Sequence, residues 1–354
     1  MAKKKKRLPK DFRELLEAGD LDRLKAVFDT HELDARDGPD GPTALGMYGC
    51  SPELATWLVG QGADPQIRWG YDSTALGRHI SVGNAPMVET LLDLGVTLEA
   101  SEETRGMPPL VDAALRLKPA IVQLLLDRGA DPRATDRSGR AALESALMAA
   151  RNTSIPNTAE IAAMLLTAGV TATDEMREEV NRIGEEFEFH RKNFAADGVA
   201  EVDAALGRLY ALFDVNPVAP RREHDGVAPI IPAATGWQAQ MEELWALLVP
   251  SAGAATTVQG EVVRIAGRVR DEQYRNGGAN WNADFRKMLS ALLGHLGSGT
   301  SLAEADLALA RAAGADAADG QGDEQSLDTL CRLAVAWVLL NPQPVALPKP
   351  AYRR

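Results

Sequence analysis

Apolar positions in the first half of the chain recur every three or four residues in short bursts, and each burst ends at a glycine or a polar turn. Phe12, Leu15 and Leu16 share one helical face, Leu21, Leu24, Val27 and Phe28 share another, and Gly19-Asp20 stands between them. This pattern predicts a helix over 11–18, a tight turn, and a second helix over 21–28. Three clearer helix pairs follow. Their first helices are predicted to begin near Thr43, Thr74 and Pro108, and their second helices carry the apolar runs 54–59, 88–92 and 121–126. A last pair runs from Ala141 to about Thr173. It carries an insertion at 151–157 whose Asn152, Thr153, Ser154, Pro156 and Asn157 are loop formers.

The rest of the chain keeps the helical spacing. Helices are predicted over 173–194, with Met176, Val180, Ile183 and Phe187 as a sparse apolar stripe, and over 202–212. The stretch 214–236, with Pro217, Pro220, Pro229 and Pro232, reads as a linker or an extended wrap. Further helices are predicted at 237–249, 258–275, 282–296, 301–313 and 324–340, and the proline-rich residues 341–354 as an extended tail. No alternation of apolar and polar residues is long enough to build a sheet, so the predicted class is all-α.

Two recurring blocks set a period. Gly62-Ala63-Asp64 returns as Gly129-Ala130-Asp131, and more loosely as Gly95-Val96-Thr97 and Gly169-Val170-Thr171, with the glycines 33, 34 and 40 residues apart. About a dozen residues after a glycine comes a second block: Thr43-Ala44-Leu45, Thr74-Ala75-Leu76, Pro108-Pro109-Leu110 and Ala141-Ala142-Leu143, at spacings of 31, 34 and 33. Two different blocks keeping one period identify an internal repeat.

The unit resembles the ankyrin repeat, about 33 residues of a turn and two helices whose pattern has Thr-Pro-Leu-His opening the first helix. Here the Thr, Pro and Leu occur piecemeal, and the His is replaced by Gly46, Gly77, Val111 and Glu144. The glycine expected two places before the block is Gly41, Gly106 and Gly139, with Asp72 in the remaining unit. The resemblance covers about 11–173, roughly five units if the first pair is the polar-faced cap a repeat stack needs. It implies a solenoid that binds proteins through its turn tips and first helices. On that reading the tips carry Arg68, Trp69 and Tyr71, then Glu102, Glu103 and Arg105, then Arg133, Arg137 and Arg140. The inner-helix set is Tyr48, Arg78 and His79. The tip Arg68-Trp69-Gly70-Tyr71 leads, because Trp, Tyr and Arg dominate interface hot spots. The alternative is that Trp69 folds onto the neighbouring tip.

Composition narrows the classes. Apolar residues at 45% and charged ones at 25% describe a soluble globular chain. No apolar run approaches the roughly 18 residues of a membrane span, and the basic start lacks the apolar core of a secretory signal. Cys50 and Cys331 lie in different halves without disulfide or zinc spacing, so a reducing cytoplasm is the simplest location. The net charge of −12 argues against broad nucleic-acid binding and favours a basic partner. The run Lys3, Lys4, Lys5, Lys6 and Arg7 reads as a flexible solvated tail over 1–10, or as a contact for nucleic acid or an anionic surface.

Candidate chemistry is sparse. Gly277-Gly278 lacks the Lys-Ser/Thr of a phosphate loop, and the five histidines are scattered. The one polar constellation is the face formed by Glu261, Arg264, Arg268 and Glu272. It reads as an ion-pair network, as a partner surface, or as a ligand pocket completed by Asn276, Asn280 and Trp281. The expected plan is a tail at 1–10, ankyrin-like repeats at 11–173, connecting helices and linker at 174–236, a helical domain at 237–340 and a tail at 341–354. The expected function is non-catalytic protein binding, with no cofactor or metal, like bacterial adaptors or immunity-type inhibitors. The rivals are an enzyme or small-ligand sensor sited in the second half, and an oligomerising scaffold.

Overall fold

The computed structural model describes residues 3–70, 73–98 and 107–353, except for the side chains of Ala196 and Asp197. The described residues are mostly helical, but they open with a strand. β1 (Lys5–Arg7) precedes α1 (Phe12–Ala18) and α2 (Leu21–Val27), and it lies parallel to β2 (His31–Arg36). The Lys5 amide donates to the Thr30 carbonyl at 3.0 Å and the Leu8 amide to Arg36 at 2.9 Å. Lys4 Nζ reaches the Phe28 carbonyl at 2.7 Å. Both the flexible-tail expectation and the expected absence of strands are corrected here. All three β1 side chains are exposed, so no apolar alternation marks it; backbone pairing and burial of Leu8 hold it in place.

The repeat region continues with α3 (Pro52–Gly60), α4 (Ala75–Val82), α5 (Ala85–Asp93), α6 (Pro109–Leu115), α7 (Pro119–Asp127), α8 (Ala142–Ala149) and α9 (Ile155–Thr167). The first helix expected at Thr43 is only a single 3-10 turn, Ala44–Gly46. This turn packs on α4, α4 on α6 and α6 on α8, forming one row. In the other row α2, α3, α5, α7 and α9 pack in that order.

The glycine block has a direct structural cause. Gly62, Gly95, Gly129 and Gly169 all have φ between 84° and 104°, which glycine adopts without steric cost. In each case the next amide returns to the helix: Ala63 to Leu58, Val96 to Leu91, Ala130 to Leu125 and Val170 to Leu165, at 3.0–3.1 Å. This is the Schellman closure, which satisfies carbonyls that a helix end leaves open. The looser copies at Gly95 and Gly169 therefore close their helices as the exact ones do. Asp64 and Asp131 add a side-chain bond to the amide two residues on, at 2.9 Å in both. First-helix starts are fixed less uniformly. Thr74 caps α4 through the Gly77 amide at 3.1 Å, whereas at α8 Glu144 reaches back to the Ala141 amide at 2.8 Å.

The insertion at 151–157 is less of a loop than expected. After a 3-10 turn at Asn152–Ser154, α9 already begins at Ile155, which is fully buried. Pro156 does not oppose this, because a first-turn helix position needs no amide donor. Asn157 Nδ2 donates to the Leu117 carbonyl in the preceding unit at 3.3 Å.

Two compact units divide the chain, one of 1–187 and 194–218, the other of 188–193 and 219–354. The first takes in α11 (Ala196–Phe213), which packs on α9, and most of α10 (Asp174–His190). The second contains α12 (Trp237–Leu248), α13 (Val258–Tyr274), α14 (Ala283–Leu296), α15 (Glu304–Asp316) and α16 (Glu324–Leu340). α13 is its centre, packed against α12, α14 and α16, with Val262, Ile265 and Val269 fully buried.

Extended chain on both sides of this bundle is pinned to it. The Ile230 amide donates to the Pro342 carbonyl at 2.7 Å. The buried amide of Gln259 donates to the carbonyls of Asn341 (2.8 Å) and Gln343 (2.7 Å) and accepts from the Val345 amide at 3.1 Å. One glutamine thus satisfies three backbone groups of a tail that has no regular structure of its own.

Candidate functional site

Tyr48 follows the 3-10 turn and is 55% exposed. The Arg78 guanidinium, from α4, lies over its ring at 4.2 Å, a cation–π contact that orders both side chains. They line a groove of about 170 Å³ with Arg13, Glu17, Pro42 and Met47. The same row of first helices continues the surface. Val82 on α4, Leu115 on α6 and Met148 on α8 are exposed apolar side chains, and arginines stand beside them. Arg116 pairs with Asp112 at 2.7 Å, and Arg140 lies 3.6 Å from Asp136 and 3.6 Å from the Met148 sulfur. Arg151 donates to the Met148 and Ala150 carbonyls. The face is an apolar stripe bordered by guanidinium groups.

The other expected tip and inner-helix residues divide. Trp69 is corrected from an exposed hot spot to a core residue: it is 5% exposed, and its indole covers Gly46 so closely that a Cβ there would stand 2.2 Å from the ring. An antiparallel bridge holds it, Trp69 and Ser73 exchanging backbone bonds at 3.0 and 3.1 Å. His79 is likewise interior. Its Nε2 meets the Leu45 carbonyl at 2.9 Å, which assigns the proton to that nitrogen, and Nδ1 faces Asn84 Nδ2 at 3.4 Å. Burial lowers the His79 pKa and keeps the ring neutral. Arg68, Arg133 and Arg137 are exposed, and Arg133 also spans to the Gly169 carbonyl at 2.8 Å. Tyr71, Glu102, Glu103 and Arg105 lie outside the described residues.

The polar constellation of the second half separates into two clusters along α13. Near the helix start Glu261 and Arg264 form a pair with side chains 0% and 1% exposed. Glu261 accepts from Arg264 Nε (2.8 Å) and Nη2 (2.6 Å), from the Ala255 amide (2.9 Å) and from the Tyr352 hydroxyl (2.7 Å). Burial alone would raise its pKa; these donors outweigh burial and hold the carboxyl below its usual range. Three turns on, Glu272 gathers the loop that ends the helix, accepting from Asn276 Nδ2 and from the amide and side chain of Asn280. Trp281 donates to the Ala318 carbonyl at 3.0 Å and stacks on Phe285. Arg268 points to the exposed side. These residues do not converge on one pocket; the buried members fix the tail and a loop.

Other chemistry is held down in the same way. Burial pushes the Cys50 and Cys331 thiols up to about 12, far from a reactive thiolate. Among the described residues no three His, Cys, Asp or Glu side chains are grouped as metal ligands, and no helix is long and apolar enough to cross a membrane.

Val82, Leu115 and Met148 are members of this face that helical periodicity alone does not single out. Repeat register marks two of them, since Leu115 and Met148 each stand seven residues after the first residue of the second repeat block, whereas Val82 stands eight after it and is one place out of register. Residues 43–136 match the family model described as ankyrin repeats, in three copies, so that segment is built of ankyrin repeats, a module of protein–protein interaction.

Proposed function

We propose that this protein works by binding another protein across the first-helix face, with Tyr48 and Arg78 at one end of it, and that it acts as an adaptor or an inhibitor without catalysing a reaction. The observation that carries this reading is the exposure of Tyr48, Val82, Leu115 and Met148 along one row of helices whose other apolar residues are buried. Aligned apolar exposure bordered by arginines is the composition of an interface centre. The rival, an enzyme or ligand sensor in the second half, requires a deep pocket lined with Glu261, Arg264, Arg268 and Trp281. Burial of the Glu261–Arg264 pair beneath Tyr352 counts against that site.

A basic partner is the expectation from the net charge of −12, but that figure averages over both units. The binding face has its own charge distribution. The test is quantitative affinity capture from native lysate with the intact chain and with Tyr48→Ala/Arg78→Ala. A stoichiometric protein lost from the double variant, whose melting temperature should be unchanged, supports the reading. Equal capture by both baits moves the binding surface elsewhere.

A further inference from the structure

We propose that the segment this face accepts is an apolar peptide flanked by carboxylates, so that an acidic chain takes an acidic ligand; this rests on the protein-binding reading above. The inference comes from how charge is divided between the two rows of helices. On the second-helix side Glu53, Glu89, Asp93, Asp127 and Glu160 are all exposed. Arg128 there is committed to Glu89 at 2.9 Å and Asp93 at 2.7 Å. That side is acidic.

On the first-helix side the order of exposure is reversed. The Arg116 side chain is 47% exposed above an Asp112 that is 13% exposed, and Arg140 is 42% exposed above an Asp136 that is 8% exposed. Glu144 is occupied by the Ala141 amide. At α6 and α8 an approaching ligand therefore meets guanidinium groups before carboxylates, whereas the groove beside Arg78 also holds one exposed carboxylate, Glu17. Two arginines of the face hold no carboxylate among the described residues: Arg78, whose contact is the Tyr48 ring, and Arg151, whose bonds go to backbone carbonyls. Their fork of donors matches a carboxylate in two-point geometry, which a lysine would not reproduce.

Placement of these two arginines adds a spacing. Arg78 is on α4 and Arg151 follows α8, with α6 between, so the two positions are separated by two helix-to-helix steps. At about 8–10 Å per step that is roughly 16–20 Å. An extended ligand covers it with about five or six residues. The ligand is thus a short apolar core, read by Val82, Leu115 and Met148, with an Asp, a Glu or a chain-terminal carboxylate at each end.

The probe is a display library of random peptides of about 16 residues, selected against the full chain, with affinities of the enriched peptides measured afterwards. The expected consensus has Leu, Met or an aromatic residue between two acidic positions about five or six apart. Affinity should fall about tenfold in Arg78→Glu and in Arg151→Glu; Arg151→Gln, which keeps a donor for the Met148 and Ala150 carbonyls, should weaken binding too while changing the melting temperature less than Arg151→Glu does. It should weaken when NaCl is raised from about 0.05 to 0.5 M, where screening shortens. Glu160→Lys on the far row should leave it unchanged. Enrichment of Lys- and Arg-rich peptides that are lost in Tyr48→Ala would keep the face as the binding surface and overturn the proposed ligand chemistry. Acidic peptides indifferent to both arginine reversals would overturn it too. Failure to enrich any peptide would count against protein binding by this face as a whole.

Discussion

Polar side chains do opposite work in the two compact units. In the repeats, arginines stand outermost over a packed apolar interior, and their partners are neighbours on the same surface. In the second unit the densest polar stretch of the sequence is interior: Glu261, Arg264 and Gln259 are buried and hold down a tail that forms no helix. On a helical projection both look like polar faces. What separates them is coverage, because α13 is packed by three helices and the tail, whereas the first-helix row has described neighbours within the row and behind it. A charged stripe on a helix therefore identifies a surface only once the elements that pack on it are known.

The largest expected effect breaks this contrast at its buried end. Glu261→Ala strands the Arg264 guanidinium, whose Nη1 already has no hydrogen-bond partner among the described residues, and should cost about 3–5 kcal/mol in urea unfolding. Replacing both by apolar residues, Glu261→Leu/Arg264→Met, should recover most of that loss if the pair is framework. Trp69→Ala should destabilise by a comparable amount, about 3–5 kcal/mol, by opening a cavity against Gly46. Gly46→Ala attacks the same contact from the other side, and its overpacking should cost about 1–3 kcal/mol. A Trp69→Ala variant with unchanged stability would return the indole to the surface.

Much of the first unit is legible in the sequence because its repeated glycines obey a backbone rule. Gly62 and Gly129 announce helix ends wherever they occur, and the period follows from them. Trp69 is not legible as core, because its burial depends on Gly46 in the same unit opening space, a contact across 23 positions with no local signature. The buried pair in α13 is hidden for a similar reason: the group that completes it, Tyr352, lies 91 residues beyond Glu261. Leu115 and Met148 are marked by repeat register alone and Val82, one place out of that register, not even by it, because single apolar residues at helix ends otherwise look like core.

Smaller effects sharpen the contrast. Burial lowers the pKa of His79 in the first unit and of His295 in the second below the usual 6.5. A depressed histidine stays neutral in the folded chain while the unfolded chain takes up protons, so stability is full above 6.5 and is lost progressively as pH falls below it. Urea midpoints should decline over that window, and His79→Gln, which keeps a donor for Leu45, should flatten the decline of the first unit. The smallest effect on stability belongs to Tyr48→Ala, expected within about 0.5 kcal/mol because the ring is mostly exposed. Its consequence should appear in binding instead.

Hydrogen–deuterium exchange of the full chain, alone and with an enriched peptide bound, addresses the binding face without any substitution. Slowed exchange confined to α4, α6 and α8 and to the turn around Tyr48 is the expected result. Slowed exchange in α13 to α16, with the first-helix row unchanged, would place the binding surface in the second unit and contradict binding by the repeats.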